Sequence, residues 1–374
     1  MPEMFVSTFL SHLKKFDWLL LAAVLLLITI GLLSLFSLSG VSLYPFFGKQ
    51  ILWALIGIVL LVVLSFFDFR ILKMHSFTVF LFYLLTVFLL LLVLLLRLKI
   101  RGIEAWLSIG GFFFQPVELA KLSLIVLLAK FFSKRHIEIY RLRHLIVSAL
   151  YMALPVFLVL LQPDLGSAIV LIFIWFVIIV FSGMKPKHLL LFAVLGILII
   201  SIVWSFGLHP YQKARIIAFF NPYEDPKGAG YQMIQSMIAV GSGQIWGKGL
   251  GYGSQSHLNF LPEPETDFIF AAYAEEWGFV GTIMLLALFL IILWRIIRIG
   301  MMASDNFSRL YSFGFAALIF VQSFIHIGMN MGVLPITGIT LPFVSYGGSS
   351  LVTLLIGVAI LQNIKINARR EIKG

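Results

Sequence analysis

Apolar residues run along this chain in blocks too long and too continuous for the helices of a soluble protein. A bilayer core takes about 20 mostly apolar residues per helix. Ten blocks qualify, over residues 18–38, 49–67, 76–96, 116–132, 145–161, 164–182, 187–206, 268–294, 308–332 and 346–364. Polar positions gather in the connections between them. The pattern predicts an all-α polytopic membrane protein with ten transmembrane helices, forming a single integral membrane domain over 1–374. The first block is too long for the apolar region of a signal peptide, and no small-residue cleavage site follows it, so it reads as a retained span.

One connection stands apart. Residues 207–267 form a large extracytoplasmic loop between the seventh and eighth helices. Structureless loops beyond about 12–15 residues are uncommon and usually functional or disordered, and this one is rich in aromatic residues and glycine. Met233, Ile234, Met237 and Ile238 recur at helical spacing with Gln232, Gln235 and Ser236 on another face, which predicts a short amphipathic helix at the membrane surface. The glycine-rich run from Gly241 to Gly253 allows tight turns or close approach to a ligand. A structured cap and one wall of an active site both fit this loop.

Composition narrows the class. Apolar residues make up 61% and charged residues 11% of the chain, against about 45–50% and 25% in soluble domains. A soluble enzyme, a disordered protein and a coiled coil are excluded. The absence of cysteine excludes thiolate zinc sites, thiol catalysis and disulfides. The net charge of +11 follows topology rather than nucleic-acid binding. With ten spans, Lys14, Lys15, Arg70, Lys73, Lys130, Lys134, Arg135, Arg141, Arg143, Lys185, Lys187, Arg295, Arg298, Arg309, Lys365, Arg369, Arg370 and Lys373 all fall on one side. By the positive-inside rule that side is the cytoplasm, and both termini are there. Arg97, Lys99 and Arg101 depart from the pattern in an outer connection, where holding an anionic ligand would justify them.

Charges inside spans are costly and point to function. Glu118 and Lys121 share a face at the start of the fourth block, as a structural ion pair or as part of a polar cavity. Asp164 opens the sixth block, where it fits a helix N-cap. Asp267 stands where the long loop enters the eighth block, beside the glycine-rich run, and capping is again the plain alternative. Glu275 and Glu276 follow inside that block and need partners or water. His326 and Asn330 read as polar residues facing the bundle interior, since no further zinc ligands accompany them. Ser345 to Ser350 suit close helix packing or a polar lining. No phosphate-binding loop, GxSxG or HExxH occurs. A transporter, a transferase acting on lipid-linked substrates and a scaffold all fit such a bundle. The single elaborate outer segment, without a convincing repeat, favours chemistry at the outer leaflet.

At these motifs the chain resembles the SEDS family (shape, elongation, division and sporulation) over nearly its whole length. The matching residues are Gln115-Pro116-Val117-Glu118-Leu119-Ala120-Lys121, Gln162-Pro163-Asp164-Leu165-Gly166, Asn221-Pro222 through Gly230-Tyr231, Gln235-Ser236 and Gly241-Ser242-Gly243. Phe260-Leu261-Pro262-Glu263, Thr266-Asp267-Phe268-Ile269-Phe270-Ala271, Ala274-Glu275-Glu276, and Leu334-Pro335 through Leu341-Pro342-Phe343-Val344-Ser345-Tyr346-Gly347-Gly348-Ser349 continue the match. Tyr211-Gln212 with Gly247-Lys248-Gly249 leans toward RodA, the elongation member, over the division member FtsW.

The resemblance implies a ten-span peptidoglycan glycosyltransferase of the bacterial inner membrane that polymerises lipid II into β-1,4-linked glycan and releases undecaprenyl pyrophosphate. The essential family aspartate maps onto Asp267. A carboxylate there fits the chemistry, because a sugar hydroxyl is a poor nucleophile and a positioned base takes its proton. The departing pyrophosphate calls for cations, with Arg101, Lys121, Arg215 and Lys248 as candidates. A divalent cation, Mg or Mn, would share that task. Glu118 and Lys121 match a family pair lining the central cavity, and Asp164 matches another family acid. Where the family commonly has Arg-Trp, this chain has Ala105-Trp106, which suggests that Arg101 takes over part of the missing cation's role. Implied partners are lipid II and the nascent glycan, a class B penicillin-binding protein that crosslinks it, and membrane proteins of the elongation complex. Lipid II flipping and a non-catalytic scaffold role are the alternatives.

Overall fold

In hydrocarbon each backbone N–H and C=O must be satisfied within the chain, so continuous apolar blocks become helices. The computed structural model describes residues 13–39, 46–67, 69–96, 106–109, 112–134, 142–185, 210–224 and 228–371, with scattered positions between 187 and 205. In chain order the helices are α1 (Trp18–Ser39), α2 (Phe46–Ser65), the short α3 (Arg70–Met74), α4 (Ser76–Leu96), α5 (Pro116–Ser133), α6 (Leu142–Leu161) and α7 (Leu165–Phe181). They continue as α8 (Pro210–Phe220), α9 (Ala229–Ser242), α10 (Ser254–His257), α11 (Ile269–Met302), α12 (Asn306–Asn330) and α13 (Gly348–Glu371).

This is a mostly helical, multi-pass membrane protein. Among the described residues seven helices are long and apolar enough to cross a membrane: α1, α2, α4, α6, α11, α12 and α13. Two more of the ten expected spans are helical but less clear-cut. The 18-residue α5 carries Glu118, Lys121 and Lys130, and α7 has only 17 residues. The expected span over 187–206 lies mostly outside the described residues.

The purely helical expectation needs one correction. Leu107–Ile109 (β1) and Phe112–Phe114 (β2) pair antiparallel, with Leu107 opposite Phe114. The signal was present in the sequence, since Gly110-Gly111 between apolar residues is a hairpin turn pair. The 207–267 segment is likewise not an open loop, because it carries α8, α9 and α10.

Burial sorts the helices. The spanning stretches of α12 and α13 are 78% and 83% buried, whereas those of α2 and α4 are 22% and 28% buried. The first pair forms the centre and the second faces lipid, which explains the exposed Leu55, Phe77 and Phe88. Nearly all of α5 is buried despite its charges.

The two ends of the bundle differ in chemistry. At one end Asp17, just before α1, accepts from Arg295 of α11 and pairs with Lys365 of α13 at 3.0 Å, and its N–H donates to Gln362 at 2.7 Å. Lys73 pairs with Asp305 at 3.4 Å at the same end. The start of α1 and the last turns of α13 therefore lie together. The opposite end holds Asp267 and the Gly-rich run.

Candidate active site

Asp267 ends a tight turn, since its own N–H and that of Thr266 both donate to the Glu263 carbonyl at 3.2 Å. The turn is pinned from two sides. Ser345 Oγ donates to the Thr266 carbonyl at 2.8 Å while accepting from the Leu341 N–H at 2.8 Å, and the Tyr346 N–H donates to the Glu265 carbonyl at 2.9 Å. From α12, Asn330 Nδ2 donates to the Asp267 carbonyl at 3.0 Å. Asn330 Oδ1 accepts from the Ala271 N–H at 3.1 Å. That N–H is one of the unpaired donors of the first turn of α11, and Phe268 at the N-cap has no side-chain oxygen to offer. Asn330 thus caps a neighbouring helix and seats the Asp267 turn with one amide.

The half-buried Asp267 carboxylate lies against Gly338. Gly338 has φ 74, and a Cβ built on it would stand 3.5 Å from Asp267 Oδ2. The next residue, Ile339, accepts from His326 Nδ1 at 2.7 Å. A carbonyl only accepts, so this ring nitrogen carries the proton. His326 and Asn330, one turn apart on α12, therefore hold the Gly338 segment and the Asp267 turn respectively. They face the interior, as expected.

The N-terminus of α7 packs on the same segment. A Cβ on Gly166 would meet Ile339 Cγ1 at 2.6 Å and the Thr337 carbonyl at 3.0 Å. Asp164 caps this helix by accepting from the Ser167 N–H at 2.9 Å, as the sequence suggested. Lys121 Nζ donates to Glu118 Oε1 at 2.8 Å, with both side chains buried. Both groups act electrostatically on Asp164. One arc from α5 through α7 to the 337–339 segment thus leads from Glu118, Lys121 and Asp164 to Asp267.

Lys248 belongs to a second cluster. Gly278, at φ 64 and ψ -161, breaks α11 and frees backbone groups on both sides. The loop fills the gap: Lys248 and Gly249 N–H donate to the carbonyls of Glu275 and Glu276 at 3.0 Å, while Phe279 and Val280 N–H donate to those of Gln244 and Ile245 at 2.8 and 3.1 Å. A Cβ on Gly278 would stand 2.2 Å from Gly247 N, so only glycine permits this approach. Glu275 and Glu276 consequently lie in the short outer leg of α11. The fully buried Glu275 accepts from Lys248 Nζ at 2.7 Å, from Gln255 N–H at 2.9 Å and from the Ser256 N–H and hydroxyl at 3.1 Å. Glu276 accepts from Gly251 N–H at 3.1 Å and from the Ser37 hydroxyl, and lies 3.1 Å from His257 Nε2. The glutamates have the partners they needed: the glycine-rich run supplies Lys248 and Gly251, the adjoining α10 region supplies Gln255, Ser256 and His257, and α1 supplies Ser37.

The remaining expected site residues are placed as follows. Trp106 is half-buried and leads into β1. Arg215 is half-buried on α8, and Gln212 of that helix donates to the Pro163 carbonyl at 3.3 Å, tying α8 to the Asp164 turn. Ser345 spends its hydroxyl inside the protein, which makes it a support of the Asp267 turn. Arg101 lies outside the described residues. The α9 helix exists, and of the expected apolar set Met233 is buried and Met237 packs on the core, but Ser236 and Ala239 complete the buried stripe and Ile238 is exposed. The reason is polar: Ser236 Oγ donates to the Asn330 carbonyl at 2.8 Å, so a serine faces inward. Among the described residues no three His, Asp or Glu side chains converge on a metal position. Asn330 and Gly338 were the supports whose roles the sequence alone did not show.

A family model described as cell cycle protein, spanning the FtsW, RodA and SpoVE proteins, matches residues 17–370. The chain belongs to the FtsW/RodA/SpoVE family. Stage V sporulation protein E of Bacillus subtilis is 38% identical, covering 94% of this chain and 98% of its own. Peptidoglycan glycosyltransferase MrdB of Escherichia coli K12 is 40% identical over 71% of each chain. The probable peptidoglycan glycosyltransferase FtsW of Geobacter metallireducens is 33% identical over 95% of this chain and 96% of its own. Among solved structures, RodA of Thermus thermophilus matches at TM-score 0.70 and 30% identity, over 94% of this chain and 96% of its own. A chain from a peptidoglycan synthase complex, described for its coordination of polymerization and crosslinking, matches at 0.78 and 35%, over 94% and 98%. Sporulation, RodA and FtsW relatives match alike, so the membership shown is the FtsW/RodA/SpoVE family, and the lean toward RodA is not resolved.

Proposed function

We propose that this protein is a peptidoglycan glycosyltransferase that polymerises lipid II at the outer face of the bacterial inner membrane during cell elongation. The observation that carries the proposal is the Asp267 carboxylate, fixed by its own turn, by Ser345 and by Asn330. Relatives named peptidoglycan glycosyltransferase support the same reading. The C4 hydroxyl of one lipid II attacks the anomeric carbon of the growing chain. The new C–O bond forms as the bond to undecaprenyl pyrophosphate breaks, and the hydroxyl proton passes to Asp267. A positioned base of this kind contributes about 10²–10⁴-fold. Lys121 and Arg215 supply positive charge for the leaving pyrophosphate, with Asp164 and Glu118 holding Lys121 in place. Lys248 instead anchors the outer loop through Glu275. A divalent cation, Mg or Mn, would arrive with the pyrophosphate of the substrate, and the proton transfer to Asp267 does not depend on it.

The chain would cross the membrane ten times with both termini in the cytoplasm. The cations Lys73, Arg295 and Lys365 at the terminal end support that orientation. A class B penicillin-binding protein would crosslink the product, beside other membrane proteins of the elongation complex. The likeness to a chain of a synthase complex supports the first partner.

Purified protein, alone and with its transpeptidase, is to be given labelled lipid II, as wild type and as Asp267→Asn. Glycan from wild type and none from a folded variant is expected. Glycan from both would remove Asp267 from the chemistry. Glycan from neither would turn attention to lipid II flipping or scaffolding.

A further inference from the structure

A buried polar atom needs a partner, and folded chains leave few without one. Among the described residues seven buried side-chain nitrogen and oxygen atoms have no hydrogen-bond partner in the protein. Four of the seven lie on one turn of α12: Nε2 and Oε1 of Gln322, Oγ of Ser323 and Nε2 of His326. Gln322 and His326 are fully buried, and Ser323 is 6% exposed. Spacings of four and three residues set Gln322 and Ser323 beside His326 on the helix surface. The four atoms therefore mark one place in the bundle.

The contacts of α12 locate that place. Gln322 stands two turns beyond Phe315 on the same face, and Phe315 packs on Gly357 of α13. Gly314 packs on Ile125 of α5 and Ile178 of α7. From Gly314 the helix rises about 12 Å to Gln322, and about 12 Å more to its outer end at Asn330. The cluster thus lies well inside the membrane-spanning part of α12, between α5, α7 and α13.

The chemistry of the four atoms selects the ligand. His326 Nδ1 spends its proton on the Ile339 carbonyl at 2.7 Å, so Nε2 offers a lone pair. Gln322 Oε1 is a second acceptor, Gln322 Nε2 is a donor, and Ser323 Oγ serves as either. Two acceptors do not satisfy each other. The set carries no formal charge, so it calls for a small neutral molecule that both donates and accepts. Buried waters do this, making about three hydrogen bonds each to groups the protein leaves unsatisfied.

We infer that Gln322, Ser323 and His326 form an internal water-binding site. One water donates to His326 Nε2 and Gln322 Oε1 and accepts from the Ser323 hydroxyl, and a second accepts from Gln322 Nε2. The first water steadies the imidazole at the nitrogen that Ile339 does not hold. Gly338, which precedes Ile339, lies against the Asp267 carboxylate, so Gln322 is a positioning residue that acts through water, His326 and this segment. The inference does not use the proposed polymerisation, and its test involves no lipid II, so the two fail separately.

The test is X-ray hydroxyl-radical footprinting of the full-length protein, which oxidises side chains beside bound water even when they are buried. His326 is expected to be oxidised in wild type, while the equally buried Tyr311 and Phe315 stay unmodified. In Gln322→Met, which keeps the length of the side chain and removes its hydrogen bonds, His326 oxidation should fall to the level of those two. The thermal midpoint of this variant should fall by about 1–3 °C, because a satisfied buried group has been lost. Were the Gln322 amide dry and unpaired, the same substitution would raise the midpoint instead. An unmodified His326 in wild type, equal His326 oxidation in wild type and Gln322→Met, or a raised midpoint would each overturn the site. The wild-type footprint decides the matter even where the variant does not fold.

Discussion

Asn330 of α12 donates to the main-chain oxygen of Asp267 at 3.0 Å, and the same side chain accepts the Ala271 N–H at 3.1 Å and donates to the His326 carbonyl at 2.8 Å. One buried amide thus sets the height of the Asp267 turn relative to the bundle. Its hydrogen bonds fall on three different backbone groups, so no single neighbour can replace it.

Asn330→Ala leaves the Ala271 N–H buried without its acceptor, at a cost of about 1–3 kcal/mol. Polymerisation is expected to fall at least about tenfold, since small misplacement of a catalytic group carries a large rate penalty. Steady-state kinetics on the folded variant should place the loss in kcat with KM little changed. A loss confined to the yield of folded protein, at normal kcat, would reduce Asn330 to a purely structural role.

Gly338 holds φ 74 beside the Asp267 carboxylate. Gly338→Ala has room for its methyl group, which would sit 3.5 Å from Oδ2, but a non-glycine residue at this φ costs about 1–2 kcal/mol. Relief of that strain moves the segment away from the carboxylate. Reduced polymerisation with a lower thermal midpoint is expected. Wild-type values for both would show that the segment tolerates an L-residue there.

Lys248 and Glu275 form a pair at 2.7 Å, with Glu275 fully shielded and Lys248 29% exposed. Removing one partner of a fully buried pair costs about 3–5 kcal/mol, so Lys248→Met should cost somewhat less, about 2 kcal/mol. The Lys248→Met/Glu275→Gln double variant should recover part of the loss. A double-mutant cycle with no coupling would show that the N–H and hydroxyl donors of Gln255 and Ser256 suffice for Glu275.

Asp17 stands before α1 and its carboxyl titrates below the ordinary 3.8. Burial alone would raise it, but hydrogen bonds from Arg295, the Leu20 N–H and Lys365 prevail. A lowered folded-state value means that the stabilisation is complete above the unfolded value and is lost as pH falls through the folded one. Asp17→Asn should therefore lower the thermal midpoint by a constant amount from about pH 7 to pH 5, and the gap should close only in the acid range below the ordinary carboxylate value. A gap that closes near neutrality would point to a different group.

The membrane architecture was legible because it rests on one-dimensional information. A block of apolar residues has no other way to satisfy its backbone in lipid, so the helical runs around α1, α4, α6 and α12 follow from composition and length alone. Capping by Asp164 was legible for a similar reason, since the cap and its N–H are three residues apart. Pairing of Glu118 with Lys121 needed only helical spacing. The break at Gly278 was hidden, because the residues that fill it, Gln244 to Gly249, lie about 30 positions earlier and nothing in either segment advertises the other. The inward turn of Ser236 was hidden too, because its partner carbonyl belongs to a distant helix.

By itself the sequence determined that this protein is built into a membrane, where its long apolar helices lie, and which acids are too costly there to be idle. Tertiary structure alone decided how those acids are used. It assigned Lys248 to Glu275, gave Ser345 and Asn330 the task of holding the Asp267 turn, and set Gly338 against the carboxylate. The physical reason is that transfer into lipid depends on each residue's own side chain, whereas a hydrogen bond across the bundle depends on the position of a partner that only the folded chain brings near.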